Sequence, residues 1–178
     1  MNPQYSIWLL PDAAHESRLT RTVAELSAVQ GESAFMPHVT IQGDLNRPVE
    51  TLTELLDRLA QEVCVQRWRI QAVECSDQFF RCLYLRFVLD ASFAALQAQT
   101  LATTGTPEGL SPFPHLSLAY GHANDATRRL RDDLAGTFAG GEIVFDRIAL
   151  VHSSKDVPIA DWRVLEQRSF ADYSAKRD

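Results

Sequence analysis

Pro37-His38-Val39-Thr40-Ile41 and Pro114-His115-Leu116-Ser117-Leu118 are the two stretches on which the reading of this chain turns. Each runs proline, histidine, apolar residue, hydroxyl residue, apolar residue. In a β-strand alternate side chains point to opposite faces, so His38 and Thr40 share one face while Val39 and Ile41 take the other. His115 with Ser117, set against Leu116 with Leu118, repeats the division. The apolar members anchor the strand in a core and leave an imidazole and a hydroxyl together on the opposite side. A lone His-x-Thr says little, because histidine is common at half-buried strand ends. Two copies with matched flanks point to one site built twice.

The interval between the histidines is 115 − 38 = 77 residues, and the surrounding elements recur at that offset. Residues 5–10, closed by Pro11, read as a buried strand, and Asp12 caps a helix over residues 14–29 whose apolar face is Leu19, Val23, Leu26 and Val29. Gly31 stops it. After the strand at residues 38–41, Pro48 suits the first turn of a helix carrying Leu52, Leu55, Leu56, Leu59 and Val63. Residues 68–75 and 79–89 read as a hairpin turning at Ser76-Asp77-Gln78.

The second half follows suit, with a helix over 92–103, a loop through Gly105, Pro107, Gly109 and Pro112, and a strand at 115–120. A weaker helix over 126–135 follows, then a break at Gly140-Gly141 and strands at 142–151 and 162–170. The charged end, 171–178, is expected to fray. At the repeat offset Trp8 falls on Leu85 and Thr40 on Ser117. The expected fold is therefore α/β (α+β): one bilobal, duplicated domain over residues 1–178, with two antiparallel-leaning sheets and outer helices around a central cleft. The histidine strands would face each other across it.

Composition sets the outer limits of function. With 46% hydrophobic and 22% charged residues the chain can fill a core, and its formal net charge of −6 has the wrong sign for a protein that grips long polyanions. A small phosphate ester needs only a few local donors. The first residues lack a basic, apolar leader and no run is long enough to span a bilayer, so a cytoplasmic monomer with no membrane partner is expected. Cys64, Cys75 and Cys82 lack a Cys-x-x-Cys pair and read as buried, reduced thiols. His122 and His152, with Asp44 or Asp125 as companions, lack ligand spacing, so they read as solvent-exposed loop and strand-end residues; no metal and no cofactor are expected. His15 and the pair Asp132-Asp133 read as surface.

The paired motif suits chemistry at phosphorus. Opening a cyclic phosphate requires a water to lose a proton as it attacks and a departing sugar oxygen to gain one, while donors hold the non-bridging oxygens. Imidazole titrates near neutrality, so one neutral ring can serve as base and a protonated one as acid. Thr40 and Ser117 can donate to the phosphoryl oxygens. Phe80 and Trp8 are candidates to stack on a base, with core packing favoured for Trp8 and an even balance for Phe80. Arg81 could reach a phosphate or an exposed ion pair.

With these residues in view, the chain resembles the two-histidine phosphoesterases, whose signature is a pair of His-x-Thr/Ser motifs in two lobes. Tyr5-Ser6-Ile7-Trp8-Leu9-Leu10-Pro11, Phe35-Met36-Pro37-His38-Val39-Thr40, Phe79-Phe80-Arg81-Cys82 and Pro114-His115-Leu116-Ser117-Leu118-Ala119-Tyr120 are similar to the plant and yeast cyclic phosphodiesterase branch. So is Phe145-Asp146-Arg147-Ile148-Ala149-Leu150 with Trp162. The resemblance implies hydrolysis of ADP-ribose 1″,2″-cyclic phosphate or nucleoside 2′,3′-cyclic phosphates to monophosphates. His38 and His115 would be catalytic, with His115 activating water and His38 protonating the leaving oxygen. Thr40, Ser117, Tyr120 and Phe80 would bind a small nucleotide-like cyclic phosphate. The flanks Gln42-Gly43-Asp44 and Ala119-Tyr120-Gly121 differ between lobes, which leaves the substrate open. A 2′,5′-phosphodiesterase or RNA ligase working on an RNA terminus is the alternative enzyme, and a non-catalytic nucleotide-binding module the alternative outside catalysis.

Overall fold

The computed structural model of the protein describes residues 4–171; of the stretch expected to fray, residues 172–178 lie outside the described residues. The chain order is β1 (Tyr5–Pro11), α1 (Ala13–Gln30), β2 (Val39–Leu45), α2 (Val49–Glu62), β3 (Gln66–Cys75), β4 (Leu83–Phe87), α3 (Ala91–Thr104), β5 (His115–Ala119), α4 (Asp125–Phe138), β6 (Glu142–His152) and β7 (Arg163–Ser169). Shifting the first five elements by the repeat offset lands each on its counterpart among β4, α3, β5, α4 and β6. The duplication read from two tripeptides thus extends through ten elements.

Local chemistry accounts for most boundaries. The Asp12 side chain accepts from the His15 amide at 2.9 Å and starts α1, which Gly31 ends at φ 71° in the left-handed region that glycine adopts without strain. Leu52, Leu55, Leu56 and Leu59 form the buried stripe of α2. Pro48 is the capping residue of α2 rather than part of its first turn. Asn124 caps α4 with a reciprocal bond to Thr127, and burial of Phe138 carries that helix beyond the expected end at 135.

The two expected antiparallel sheets are present as the wings of one continuous sheet, joined in one instructive way. Its order is β2-β1-β6-β3-β4-β5, with β7 on β6, and every pairing is antiparallel. Each half donates its third strand to the other half: β6 pairs with β1, and β3 pairs with β4. The two wings are joined where residues 66–69 of β3 lie against β6, from Gln66 opposite Phe145 to Arg69 opposite Glu142. Trp68 locks this junction, its ring 5.2 Å from Phe145 and 5.8 Å from both Phe87 and Phe93. The result is one open seven-stranded sheet whose halves are wings about a pseudo-twofold axis.

The expected hairpin is also modified. Phe79–Arg81 form a 3₁₀ turn instead of continuing the strand, because the Ser76 amide donates to Cys82 at 3.0 Å and its hydroxyl to Arg81 at 2.5 Å, closing the chain early. The segment over residues 105–112 is tied to β2. Buried Gln42 donates to the carbonyls of Thr106 and Glu108 at 2.8 and 2.7 Å, and the Gly43 amide donates to Gly109 at 2.8 Å. At Gly109 φ is +74°, and a Cβ there would lie 1.9 Å from the Gly43 carbonyl oxygen.

Among the three cysteines only Cys82 is fully buried, Cys64 and Cys75 being half-buried, and all three are free. Burial pushes the thiols of Cys75 and Cys82 above their usual range. Among the described residues no helix is long and apolar enough to cross a membrane. Gly109→Ala should cost more than about 2 kcal/mol in urea unfolding, since both backbone and space reject a side chain. Gly136→Ala, in open space on α4, should instead stabilise by up to about 1 kcal/mol.

Candidate active site

Both histidines sit at the start of their strands and are aimed by the same device. The His38 Nδ1 lies 2.6 Å from the Met36 carbonyl oxygen, and the His115 Nδ1 lies 3.0 Å from that of Phe113. A carbonyl can only accept, so Nδ1 carries the proton in each ring and Nε2 is left with a free lone pair. Each accepting carbonyl lies two residues upstream, across Pro37 or Pro114. Proline fixes its own φ and drives the residue before it into extended backbone, which holds that carbonyl against the ring. The prolines shared by the two motifs thus have a positioning role.

The alternation expected within the strands is present. Val39, Ile41, Leu116 and Leu118 are fully buried, while Thr40 and Ser117 face a cavity of about 330 Å³. His38, His115, Phe80 and Tyr120 line the same cavity, so all six residues picked from the sequence converge on it. Their hydroxyls are not equivalent. Ser117 Oγ donates to the Phe80 carbonyl at 2.9 Å, which occupies its single proton and fastens the 3₁₀ turn to β5. Thr40 makes no such bond among the described residues, so of the two hydroxyls its proton is the one left free beside the cavity.

The surroundings of the two rings differ. Trp8 stacks flat under His38, with centroids 3.5 Å apart and planes 7° from parallel. Trp8 pairs across the sheet with Thr40, and the residue so placed beside Ser117 is Tyr84. The equivalence of Trp8 with Leu85 is therefore off by one, a slip produced by the bulge between Leu83 and Tyr84. Leu85 faces the core. Tyr84 meets His115 edge-on, 5.7 Å away, and donates its hydroxyl to Glu74 at 2.6 Å; burial and that bond push its phenol up to about 12.

Phe113, which holds His115, has the Arg81 guanidinium 4.7 Å and the Arg86 guanidinium 4.1 Å from its ring centroid. Arg81 donates to Gln78 Oε1 at 2.7 Å and forms no ion pair with another described residue. Tyr120 stacks on Phe35 at 3.7 Å, and Phe80 stacks on Trp162 at 6.0 Å. Trp162, Ser6, Ser153, Ser154 and Lys155 also line the cavity. Ser6 and Trp162 belong to stretches that carry the resemblance, but nothing in the local sequence marks Ser153, Ser154 and Lys155, which come from a loop remote from the histidine motifs.

Other residues considered from sequence lie elsewhere. His122 is exposed, as expected, but His152 is half-buried against the Tyr5 ring 6.1 Å away. His15 is half-buried too, its Nδ1 2.7 Å from the Asp12 carboxylate. Among the described residues no three His, Cys, Asp or Glu side chains converge as a metal site would require.

Both catalytic candidates are held neutral. Burial, the largest cause for each, pushes His38 and His115 from 6.5 down to about 4. The charge of His115 adds to this for His38, as do Arg81 and Arg86 for His115, while the carbonyl bonds oppose it. The unfolded chain protonates these rings near 6.5 and the folded chain near 4. Stability present above pH 6.5 should therefore fall as pH drops through that window, by a few kcal/mol in all, because each tenfold loss of proton affinity on folding is worth about 1.4 kcal/mol. Urea unfolding across pH 7 to 4.5 should show the fall, and a His38→Gln/His115→Gln double variant should show a much flatter profile.

No protein-family model matches the chain, and no curated protein matches it in sequence. Solved structures do match in three dimensions. The crystal structure of TT0787 of Thermus thermophilus superposes with a TM-score of 0.63 at 18% identity, covering 96% of this chain and 99% of the other. Escherichia coli LigT complexed with 3′-AMP gives 0.61 at 12% identity over 96% and 99% of the two chains. A further phosphoesterase crystal structure gives 0.55 at 12% identity, again over 96% and 99%. Over almost its whole length, then, the chain shares the fold of TT0787, LigT and this phosphoesterase.

Proposed function

We propose that the protein is a two-histidine phosphoesterase that hydrolyses small cyclic phosphodiesters, nucleoside 2′,3′-cyclic phosphates or ADP-ribose 1″,2″-cyclic phosphate, to monoesters. The observation that carries this reading is the matched pair of imidazoles. His38 is buried and His115 half-buried beside one cavity, and each has Nδ1–H tied to a carbonyl two residues upstream, which frees Nε2 for proton transfer. E. coli LigT has been crystallised with 3′-AMP, NADP+ and ATP, which supports a nucleotide-like ligand for the shared fold.

In the reaction, a water oxygen attacks phosphorus as His115 Nε2 takes its proton. The bond from phosphorus to one ring oxygen breaks, and that oxygen takes a proton from His38 Nε2. The net change is one water consumed and one monoester formed. Thr40 donates to a non-bridging oxygen, and the stacked rings of Phe80 and Trp162 offer a face to a base.

The unequal surroundings support this division of roles. Two guanidiniums beside Phe113 disfavour a proton on His115 before the attack, as a base requires. The indole face of Trp8 under His38 favours the imidazolium, as an acid requires. Because both rings are neutral in the free enzyme at pH 7, His38 gains its proton when the anionic phosphate arrives and offsets the cost of burial.

Two outcomes are expected. His38→Ala and His115→Ala should each lower kcat by about 10²- to 10⁴-fold; full activity in either variant would overturn the shared mechanism. The kcat/KM profile, which reports the free enzyme, should peak on the acid side of 6.5 and fall as pH rises towards 8. The profile of kcat should lie at higher pH than that of kcat/KM, because bound phosphate raises the acid.

A further inference from the structure

The run Ser153-Ser154-Lys155 leaves the end of β6 and forms one wall of the cavity together with Ser6. Ser153 is 2% exposed, and its hydroxyl has no hydrogen-bond partner among the described residues. An unpaired hydroxyl sealed from solvent costs about 1–3 kcal/mol, a cost that turning the Ser153 side chain towards the cavity and donating to a ligand oxygen would remove. Ser154, 5% exposed, accepts the Asp156 amide at 3.1 Å, which leaves its own proton free to donate. Ser6 donates to the Ser153 carbonyl at 3.3 Å and so fixes the run against β1.

Lys155 is the one lysine or arginine among the described residues that line this cavity, and it forms no ion pair with another described residue. Both histidines of the cavity are neutral near pH 7, so the ammonium is its positive charge. Asp44, the carboxylate on the same rim, is exposed and stands outside salt-bridge range of Lys155. Along β1, Ser6 precedes Trp8 by two residues, a step of about 7 Å. Trp8 marks the row of Thr40, the hydroxyl proposed above to hold the reacting phosphate. The Ser6–Ser153 row is therefore displaced from the reacting phosphorus by roughly the span of one ribose.

We infer that Ser153, Ser154 and Lys155 form a subsite for a second anionic group of the substrate, a phosphate or pyrophosphate carried on the 5′ side of the ribose whose cyclic phosphate is opened. Two hydroxyl donors and an ammonium suit phosphoryl oxygens. The subsite deepens the hydrolytic reading above and rests on it for the identity of the reacting group. It makes Lys155 a residue of specificity, acting on binding and not on the chemical step.

The test compares adenosine 2′,3′-cyclic phosphate with the same compound bearing a 5′-phosphate. In the wild type the 5′-phosphate should lower KM at least fivefold and leave kcat unchanged. Lys155→Met, at an exposed position, and Ser153→Ala should each remove most of that advantage while keeping the kinetics of the unphosphorylated compound. Lys155→Arg should retain it. Equal KM values for the two compounds in the wild type would overturn the subsite. So would an equal loss for both in Lys155→Met, which would put the ammonium at the reacting phosphate.

If the wild type turns over neither compound, the hydrolytic reading fails, and calorimetry then decides on the subsite. Adenosine 2′,5′-bisphosphate should bind at least fivefold tighter than adenosine 2′-monophosphate, with the difference lost in Lys155→Met. Equal affinities would refute it.

Discussion

The antiparallel pairing of β3 with β6 is the contact on which the cleft depends. Each half of the duplicated chain ends in a strand that crosses to the other half, and the four-residue overlap from Gln66 to Arg69 is where the two exchanges meet. Trp68, buried among Phe87, Phe93 and Phe145, fills the junction with aromatic surface contributed by both halves. Neither half could complete its own wing alone. The exchange therefore couples folding of the halves and holds the two histidine strands at opposite edges of one sheet, facing a common cavity.

Symmetry in the backbone carries asymmetry in the side chains. The proline–carbonyl device is duplicated faithfully, so both imidazoles present the same nitrogen. Around that shared geometry the lobes diverge: a flat indole lies under His38, whereas an edge-on phenol and two guanidiniums surround His115 and its carbonyl partner. In the proposed mechanism duplication supplies two proton carriers in register, and divergence of their neighbours separates them into donor and acceptor. The hydroxyls diverged too, Ser117 fastening the Phe80 turn while Thr40 remains open to the cleft.

Much of this was legible in the residues. Alternation in the two motifs placed Val39, Ile41, Leu116 and Leu118 inside and turned His38, Thr40, His115 and Ser117 towards one cavity, because strand periodicity is a local property; Phe80 and Tyr120 lie outside that alternation, and Tyr120 was legible only through the resemblance. Helix ends at Asp12 and Gly31 were legible for the same reason. The strand exchange was not, since hydrophobic pattern says which face of β3 or β6 is buried but not which partner it meets. The Trp8–Tyr84 equivalence was hidden by a bulge that shifts pairing by one residue without altering composition. Trp8 looked like core and is indeed buried, yet its ring lies against His38. Ser153, Ser154 and Lys155 follow a strand whose local pattern is ordinary, and only the return of β6 beside β1 brings them to the site.

The central claim, that two imidazoles open a cyclic phosphate, is tested most directly by phosphorus NMR of the protein with a nucleoside 2′,3′-cyclic phosphate in the presence of a chelator. The cyclic resonance should be replaced by that of a single monoester at an undiminished rate. Failure to convert this substrate or ADP-ribose 1″,2″-cyclic phosphate, or turnover that stops with the chelator and returns with a divalent metal, would contradict it.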